Sequence, residues 1–489
     1  MNIINLVDFK ADENNTERLK IIDEHDYRSK FQRDRDRILY SKEFRRLSGK
    51  TQIFISGYDD NMRTRLTHTL EVAQIAETIS RKLRLDEMLT VAIAYGHDVG
   101  HTPFGHVGER TLNSFMNGCF DYHGYFDNMI DDDKGFKHNF QGVRVVCFLE
   151  SLSSEYKTKE YGLNLTKYTL WGILNHSSLK YKQCEYCDSA KNCTYKNRNK
   201  QCKGLSLDFY KNSLIDSKGN YIFDDKRDWT FEAIVVSYAD EIAQRHHDIE
   251  DGIFAGIIDL KQFCEYLLDV NGFNDSFKNE IINIKNNHNK QNLEISINKL
   301  SRIIVDYYVT CYIDSVLFKI NELYDKGVFS KEDNNKRDLI YDYIKNEGVS
   351  IINFFGFNKE FRETDKAFNN YLCNHILNSE LAQCMDGKAT YVIRKLFKAY
   401  LTNPQQLPDK TIISIIRNWE DDKGVHFNDD EKCMTTASSC RTKLKLLLNQ
   451  NDLTIHRILL RRICDYIAGM TDDYALKCYA KLYGEKKIM

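Results

Sequence analysis

The chain has 489 residues, 42% of them apolar and 29% charged. This suits a globular fold with a large buried core. Its 69 basic and 71 acidic residues leave a net charge of −2, which argues against a generally basic nucleic-acid binder but leaves room for a local patch. No apolar run approaches the roughly 18 residues of a membrane span. The opening stretch MNIINLVDFKADENNTERLK is too polar for a signal peptide, so a cytoplasmic location is expected. Three prolines and 24 glycines are little turn punctuation for a long all-β chain, so helices joined by polar loops are expected. The fourteen cysteines are mostly scattered singly and read as reduced, buried, small apolar residues.

In chain order, residues 26–57 are dense in charge with a broken helical pattern at Phe31, Ile38, Leu39, Phe44 and Leu47. Their arginines (33, 35, 37, 45 and 46) read as a solvated face, as phosphate ligands or as subunit salt bridges. Residues 63–85 predict a helix with a stripe at Leu66, Leu70, Ala73, Ala76 and Leu83, started by Thr64 or Thr67. Residues 87–95 are apolar all round, as in a buried helix. They run into GHDVGHTPFGHVGE, residues 96–109, where a tight loop is expected, with the helix restarting near Glu109. Further helices are predicted over 136–149, 163–176 and 230–254. Amphipathic helices follow from 256 to 489, without a repeat of fixed period.

His97 and Asp98 close the buried helix. A carboxylate there is costly unless it is paired or binds a cation, and an imidazole beside it makes a natural pair of metal ligands. His68 lies on the preceding helix and Asp240 within the apolar stretch EAIVVSYADEIA. Any one of these alone reads as a hydrogen-bonded core residue. Together the four suit one divalent metal with open positions for water and phosphate. The loop adds His101, His106 and Glu109, a crowd suited to an anionic ligand. His106 is the candidate general acid or base, since imidazole titrates near neutrality. Glu109 is expected to orient it.

The pattern His68, His97-Asp98, Asp240 resembles the HD superfamily of metal-dependent phosphohydrolases. The strings RDRDRILYSKEFRRLSGKTQIF, RLTHTLEVAQIA, GHDVGHTPFGHVGE, FKHNFQGVRVV and DYIAGMTDDYALKCY are similar to the deoxyguanosinetriphosphate triphosphohydrolase family, from about residue 28 to 483. The resemblance implies an all-α, oligomeric enzyme that cleaves a deoxynucleoside triphosphate to deoxynucleoside and inorganic triphosphate. It implies a helical segment over 1–60 that contributes to the nucleotide site, an HD core over 61–256 and a C-terminal helical region over 257–489 packed on that core. His68, His97, Asp98 and Asp240 would hold Mn, Mg or Fe. His106 would be catalytic with Glu109 in support, His101 would touch phosphate, and Gln52 would lie near the sugar or base. Arg46, Asn175, His176 and Gln244 join these as candidate substrate contacts. The metal would polarise the α-phosphate, and a protonated His106 would serve the leaving 5′-oxygen.

Two departures from the family pattern stand out. Gln244 replaces a tyrosine usual four residues after the metal aspartate, and Asn175-His176 stand where many members carry a phosphate-binding lysine. Arg245, His246, Lys180 or Lys182 are the candidates to compensate. The second departure is a Cys-rich insertion with Cys184, Cys187, Cys193 and Cys202 at C-x2-C-x5-C-x8-C spacing. This suits a structural zinc site; an iron–sulfur cluster or free thiols are the alternatives. Its lysines and arginine suggest contact with single-stranded nucleic acid or a neighbouring subunit, or a solvated loop. Asp131–Asp133 reads as a solvated turn, and His138 as a candidate for a direct role. Asp248, Glu250 and Asp251 read as supporting or interface groups. Arg461 and Arg462 are candidates to reach substrate or an adjacent subunit. Two other functions stay open: another HD nucleotidase or phosphodiesterase, and a nucleotide or nucleic-acid sensor with a regulatory HD site.

Overall fold

The computed structural model describes residues 6–21, 27–52, 63–120, 131–150, 162–179, 206–216, 219–287, 292–424, 437–450 and 452–484. Among these the fold is all-α, with isolated β-bridges only. No helix among them is long and apolar enough to cross a membrane. The four cysteines of the insertion, and Lys180 and Lys182, lie outside the described residues.

Eight helices frame the site: α1 (Lys30–Leu39), α2 (Lys42–Arg46), α3 (Arg65–Leu83), α4 (Glu87–Gly96), α5 (Gly105–Met116), α6 (His138–Arg144), α7 (Lys167–Asn175) and α8 (Phe231–Phe254). Their starts are written locally. The Thr64 hydroxyl accepts from the Thr67 amide in a reciprocal capping box at α3. Asp86 caps α4 through the Leu89 amide, and Thr230 caps α8 through the Ala233 amide. Helix α4 is buried on nearly every side because α1, α3, α7 and α8 all pack around it. That placement holds His97 and Asp98, at its C-terminal end, in the middle of the molecule.

Helix α5 begins at Gly105, four residues before the expected restart. Phe104 (φ +61°) and Gly105 (φ +59°) are both left-handed, so the chain reverses straight into the helix. Gly100 is required by close approach: a Cβ there would lie 2.0 Å from the His138 carbonyl oxygen and 2.2 Å from the Gly142 nitrogen. Its bare backbone lets α6 bring His138 against the loop.

Two apolar cores result. The larger runs from Leu6 and Phe9 through α1, α3, α4, α7 and α8 to Ile376, and takes in the long helix α9 (Leu293–Asp325). The smaller joins Leu112, Phe115 and Met116 of α5 to α10 (Glu380–Thr402) and α11 (Leu453–Ala468), with α12 (Asp472–Tyr483) at its edge. Phe115 stacks on Phe397 with ring centroids 4.3 Å apart. The helix carrying His106 and Glu109 therefore belongs to the smaller core.

Several charged residues have structural partners. The Asp133 carboxylate accepts from Arg457 at 2.6 and 2.9 Å, so 131–133 is an anchored turn rather than a merely solvated one. Arg461 donates to the Asp133 and Gly135 carbonyls and lies 3.5 Å over the Phe209 ring. These intrachain contacts take the place of the substrate or subunit contact expected for it. Arg462 sits 3.5 Å from Asp465. Of the N-terminal arginines, Arg35 pairs with Asp36, and Arg37 donates to the Leu163 and Asn164 carbonyls. Arg33, Arg37 and Arg45 line a cavity of about 320 Å³ with Arg28 and Lys42.

Candidate active site

Four expected residues converge where α3, α4 and α8 meet. The His68 Nε2 lies 2.9 Å from Asp240 Oδ1 and 3.9 Å from Asp98 Oδ2. The His97 Nε2 lies 3.5 Å from Asp98 Oδ2 and 3.8 Å from Asp240 Oδ1. The His97 Nδ1–H donates to the Ala94 carbonyl at 2.6 Å, so its Nε2 carries the lone pair. That Nε2 is buried with no partner. Two imidazoles and two carboxylates turned toward one point, one of them with an unsatisfied lone pair, fit a divalent cation.

His68 is braced from behind. Its Nδ1 lies 3.1 Å from His247 Nδ1, and His247 Nε2 bonds Glu71 Oε2. Since a carboxylate only accepts, His247 donates from Nε2 and takes the His68 proton at Nδ1. The His68 Nε2 is thereby the atom turned to Asp98 and Asp240. The spacing behind this is helical: His68 and Glu71 are three apart on α3, and Asp240 and His247 seven apart on α8.

A second cluster adjoins the first through Asp98, whose Oδ1 lies 3.1 Å from His101 Nε2. His101, His106, Glu109 and His138 each place a donor atom within 4.8 Å of one another. The His101 and His138 rings stack at 3.8 Å. Glu109 lies beside His106 and its charge raises the His106 pKa, but it also has other partners. Its carboxylate is held by His138 Nδ1 and by Lys137 Nζ at 3.3 Å, because α6 brings His138 down onto α5. His138 Nε2 meets His176 Nε2 at 3.2 Å, and His176 Nδ1–H donates to the Ile173 carbonyl. His176 is thus a buried member of the cluster rather than a phosphate-facing cation.

Helix α3 supplies a residue that sequence reading missed. Arg65 is buried, and its guanidinium donates to Asp98 Oδ2 at 2.8 Å. The available signal was its place one turn before His68 at the helix start.

Family comparisons agree with this geometry. The HD domain model matches residues 65–245, and the phosphohydrolase-associated domain model matches 355–424 and 447–481. A deoxyguanosinetriphosphate triphosphohydrolase-like protein of Rickettsia canadensis is 30% identical over 93% of this chain and 94% of its own length. The chain belongs to the deoxyguanosinetriphosphate triphosphohydrolase-like family of HD-domain hydrolases. Like-named relatives include one of Thiobacillus denitrificans, 29% identical over 94% of this chain and 92% of its own, and one of Bordetella pertussis, 30% identical over 93% and 90%.

Electrostatics of this HD site favour neutral rings and ionised acids. Burial alone would raise the Asp98 carboxyl, but His97, Arg65 and His101 hold it well below its usual value. Burial, followed by Arg65 and His138, pushes His101 well below the usual imidazole range. The protein crowded around its solvent-open ring lowers His106 to about 4, with Glu109 raising it and Arg65 and His138 lowering it. This lies below the near-neutral titration expected of His106. Burial, with His97 and His138, lowers His176 to about 3. Arg65 supplies a fixed positive charge beside Asp98.

The other expected contacts are spread more widely. Gln52 Oε1 is buried with no partner, and its backbone lies near Gly105. Gln244 is half-buried, one turn beyond Asp240 on the same face of α8. Asn175 donates to the Trp171 carbonyl of its own helix. Arg46 bonds Glu43 and lies against Gly469. Arg245 is spent on Asp365 and His246 on Glu71, so neither replaces the missing lysine. Glu250 and Asp251 hold Arg63.

Burial pushes the Asp248 carboxyl up to about 7, with Arg245 lowering it and Asp251 raising it, and its Oδ1 has no partner. Unfolded, it titrates near ~3.9. Between these values the folded chain keeps a proton that the unfolded chain has lost, so stability falls as pH rises through that window. Asp248→Asn is expected to stabilise the protein at pH 8 by up to roughly 4 kcal/mol, with the gain gone near pH 4. Thermal melts of both proteins across that range measure it.

Proposed function

We propose that the protein hydrolyses deoxynucleoside triphosphates to deoxynucleoside and inorganic triphosphate, taking dGTP or several dNTPs. The supporting observation is the joining of two clusters by one carboxylate, Asp98, with Arg65 beside it. His68, His97, Asp98 and Asp240 would hold a divalent Mn, Mg or Fe. A cation there supplies a Lewis acid for a phosphoryl oxygen and acidifies a water.

Water adds at the α-phosphorus as the bond from phosphorus to the 5′-oxygen breaks, and the leaving oxygen takes a proton. His106, the exposed member of the second cluster, is the group to give it. With its pKa lowered to about 4, His106 on its own is neutral near pH 7. A triphosphate, carrying roughly four negative charges, raises the imidazole pKa and brings the proton in. Arg65 offsets charge on the reacting phosphate. The unsatisfied Gln52 Oε1 suits a donor such as a sugar hydroxyl. Gln244, in place of an aromatic ring, loosens selection at the sugar and base.

The test is product analysis with Mn, using all four dNTPs and GTP singly and in mixtures. Deoxynucleoside plus intact triphosphate is the expected result. Monophosphate plus pyrophosphate would identify a different HD hydrolase, and binding without turnover would identify a sensor. On the same reading, His247→Ala frees the His68 ring and is expected to weaken Mn binding roughly 10–100-fold. Titration of Mn by electron paramagnetic resonance measures it; unchanged affinity would rule out the bracing role.

A further inference from the structure

The motif DYIAGMTDDYALKCY has no residue in either cluster, yet its acids reach both elements that carry the second one. Asp472, the first residue of α12, is fully buried. Its Oδ1 accepts from the Phe104 amide at 2.8 Å. Its Oδ2 accepts from the Thr51 amide at 2.9 Å and from the Thr51 hydroxyl. Phe104 is the left-handed residue that starts α5, two positions before His106. Thr51 precedes Gln52 and pairs with Thr64, at the start of the helix carrying Arg65 and His68. One carboxylate thus ties together three chain segments that enter the site.

Two further side chains repeat the design. Lys50, fully buried, donates from Nζ to the His101 carbonyl and to the Ala468 carbonyl at 3.2 Å. Asp465, in the last turn of α11, accepts from Arg144 Nη2 at 2.8 Å and from Gln141 Nε2 at 3.1 Å. Both donors lie on α6, behind His138. The turn between α11 and α12 therefore holds the catalytic loop at His101 and Phe104 and holds α6 at Gln141 and Arg144. Within the loop, the Thr102 hydroxyl donates to the Gly105 carbonyl at 2.8 Å, and the Asp472 bond to the Phe104 amide adds the long-range hold on the left-handed residue at the helix start.

We propose that Asp472 and Asp465 are positioning residues for the proton-donating cluster, so that the C-terminal helices set where His106 and His138 stand. This rests on the role read for His106 above. Neither acid touches the four metal-type residues, so the effect falls on turnover and not on cation retention. Small displacements of a catalytic group cost up to about 100-fold in rate.

The experiment compares Asp472→Asn with Asp452→Asn in the full chain. Asp452 caps α11 through the Thr454 amide and holds the Trp419 indole, so its loss weakens the same region without reaching the catalytic loop. Asp472→Asn is expected to lower kcat roughly 10–100-fold, with KM and Mn content nearly unchanged. It should also speed hydrogen exchange of the amides over 101–109. Asp452→Asn is expected to lower Tm with kcat within about twofold of the parent. If Asp472→Asn does not fold, Thr51→Val removes one donor from the same carboxylate and should give a smaller fall in kcat with the same exchange signature. The proposal is overturned if Asp472→Asn keeps its kcat, if exchange over 101–109 is unaltered, or if Mn is lost together with activity. Should the parent protein release no triphosphate, the reaction assigned above fails, while the exchange data still decide the clamp.

Discussion

Asp98→Ala is expected to remove Mn binding and to lower triphosphate release by about 1,000-fold or more, since a Lewis-acid cation contributes several kcal/mol to such a transition state. Asp98 serves both clusters at once: Oδ2 faces His97, His68 and Arg65, and Oδ1 takes the His101 ring. Alanine leaves Arg65 and His101 unpaired in a buried place, which adds a stability cost. Asp98→Asn separates the two effects, since it keeps the shape and removes the charge. Mn content per chain, measured beside activity, checks the assignment. A variant that binds Mn normally would place the cation elsewhere.

His106→Gln is expected to lower kcat by roughly 100–10,000-fold, the usual range for general acid–base catalysis. Mn content should not change, because His106 lies outside the set His68, His97, Asp98 and Asp240. A substrate analogue whose leaving group needs no proton, such as a nitrophenyl triphosphate, should lose far less. That comparison separates proton donation from binding: an equal loss on both substrates would make His106 a phosphate contact instead.

Much of this site could be read from sequence because its parts are local. The His97-Asp98 doublet at the end of an apolar run, and His68 and Asp240 inside helical stripes, announce themselves by burying polar groups where water is absent. The second partner of Glu109 could not be read that way. Proximity in sequence pointed to His106, which does lie beside it, but the carboxylate also bonds His138, twenty-nine residues on, across Gly100 where the backbones nearly touch. The place of His176 was hidden for a similar reason: the sequence offered it as a substrate contact, and only the fold turns its ring inward onto His138. Arg65 was hidden among ordinary helix-start charges. The bracing of His68 by His247 and Glu71 was in principle legible, since the spacings of three and seven lie on single helix faces. It needed α3 and α8 to be placed side by side, which only the packed core does. The fold class followed from composition and period, whereas membership of α5 in the smaller core did not.

That division of the apolar core has a consequence for how the enzyme can change over generations. The cation-type residues are carried by helices of the larger core, and the helix of His106 is seated in the smaller one. On the proposed reading, substitutions that reshape the packing around Phe115 and Phe397 can retune the rate while the choice of metal is left alone. Substitutions around α4 reach the cation-type residues and with them the whole reaction. Selection can thus adjust the helix of His106 from the C-terminal side, with Asp98 the carboxylate that both clusters share.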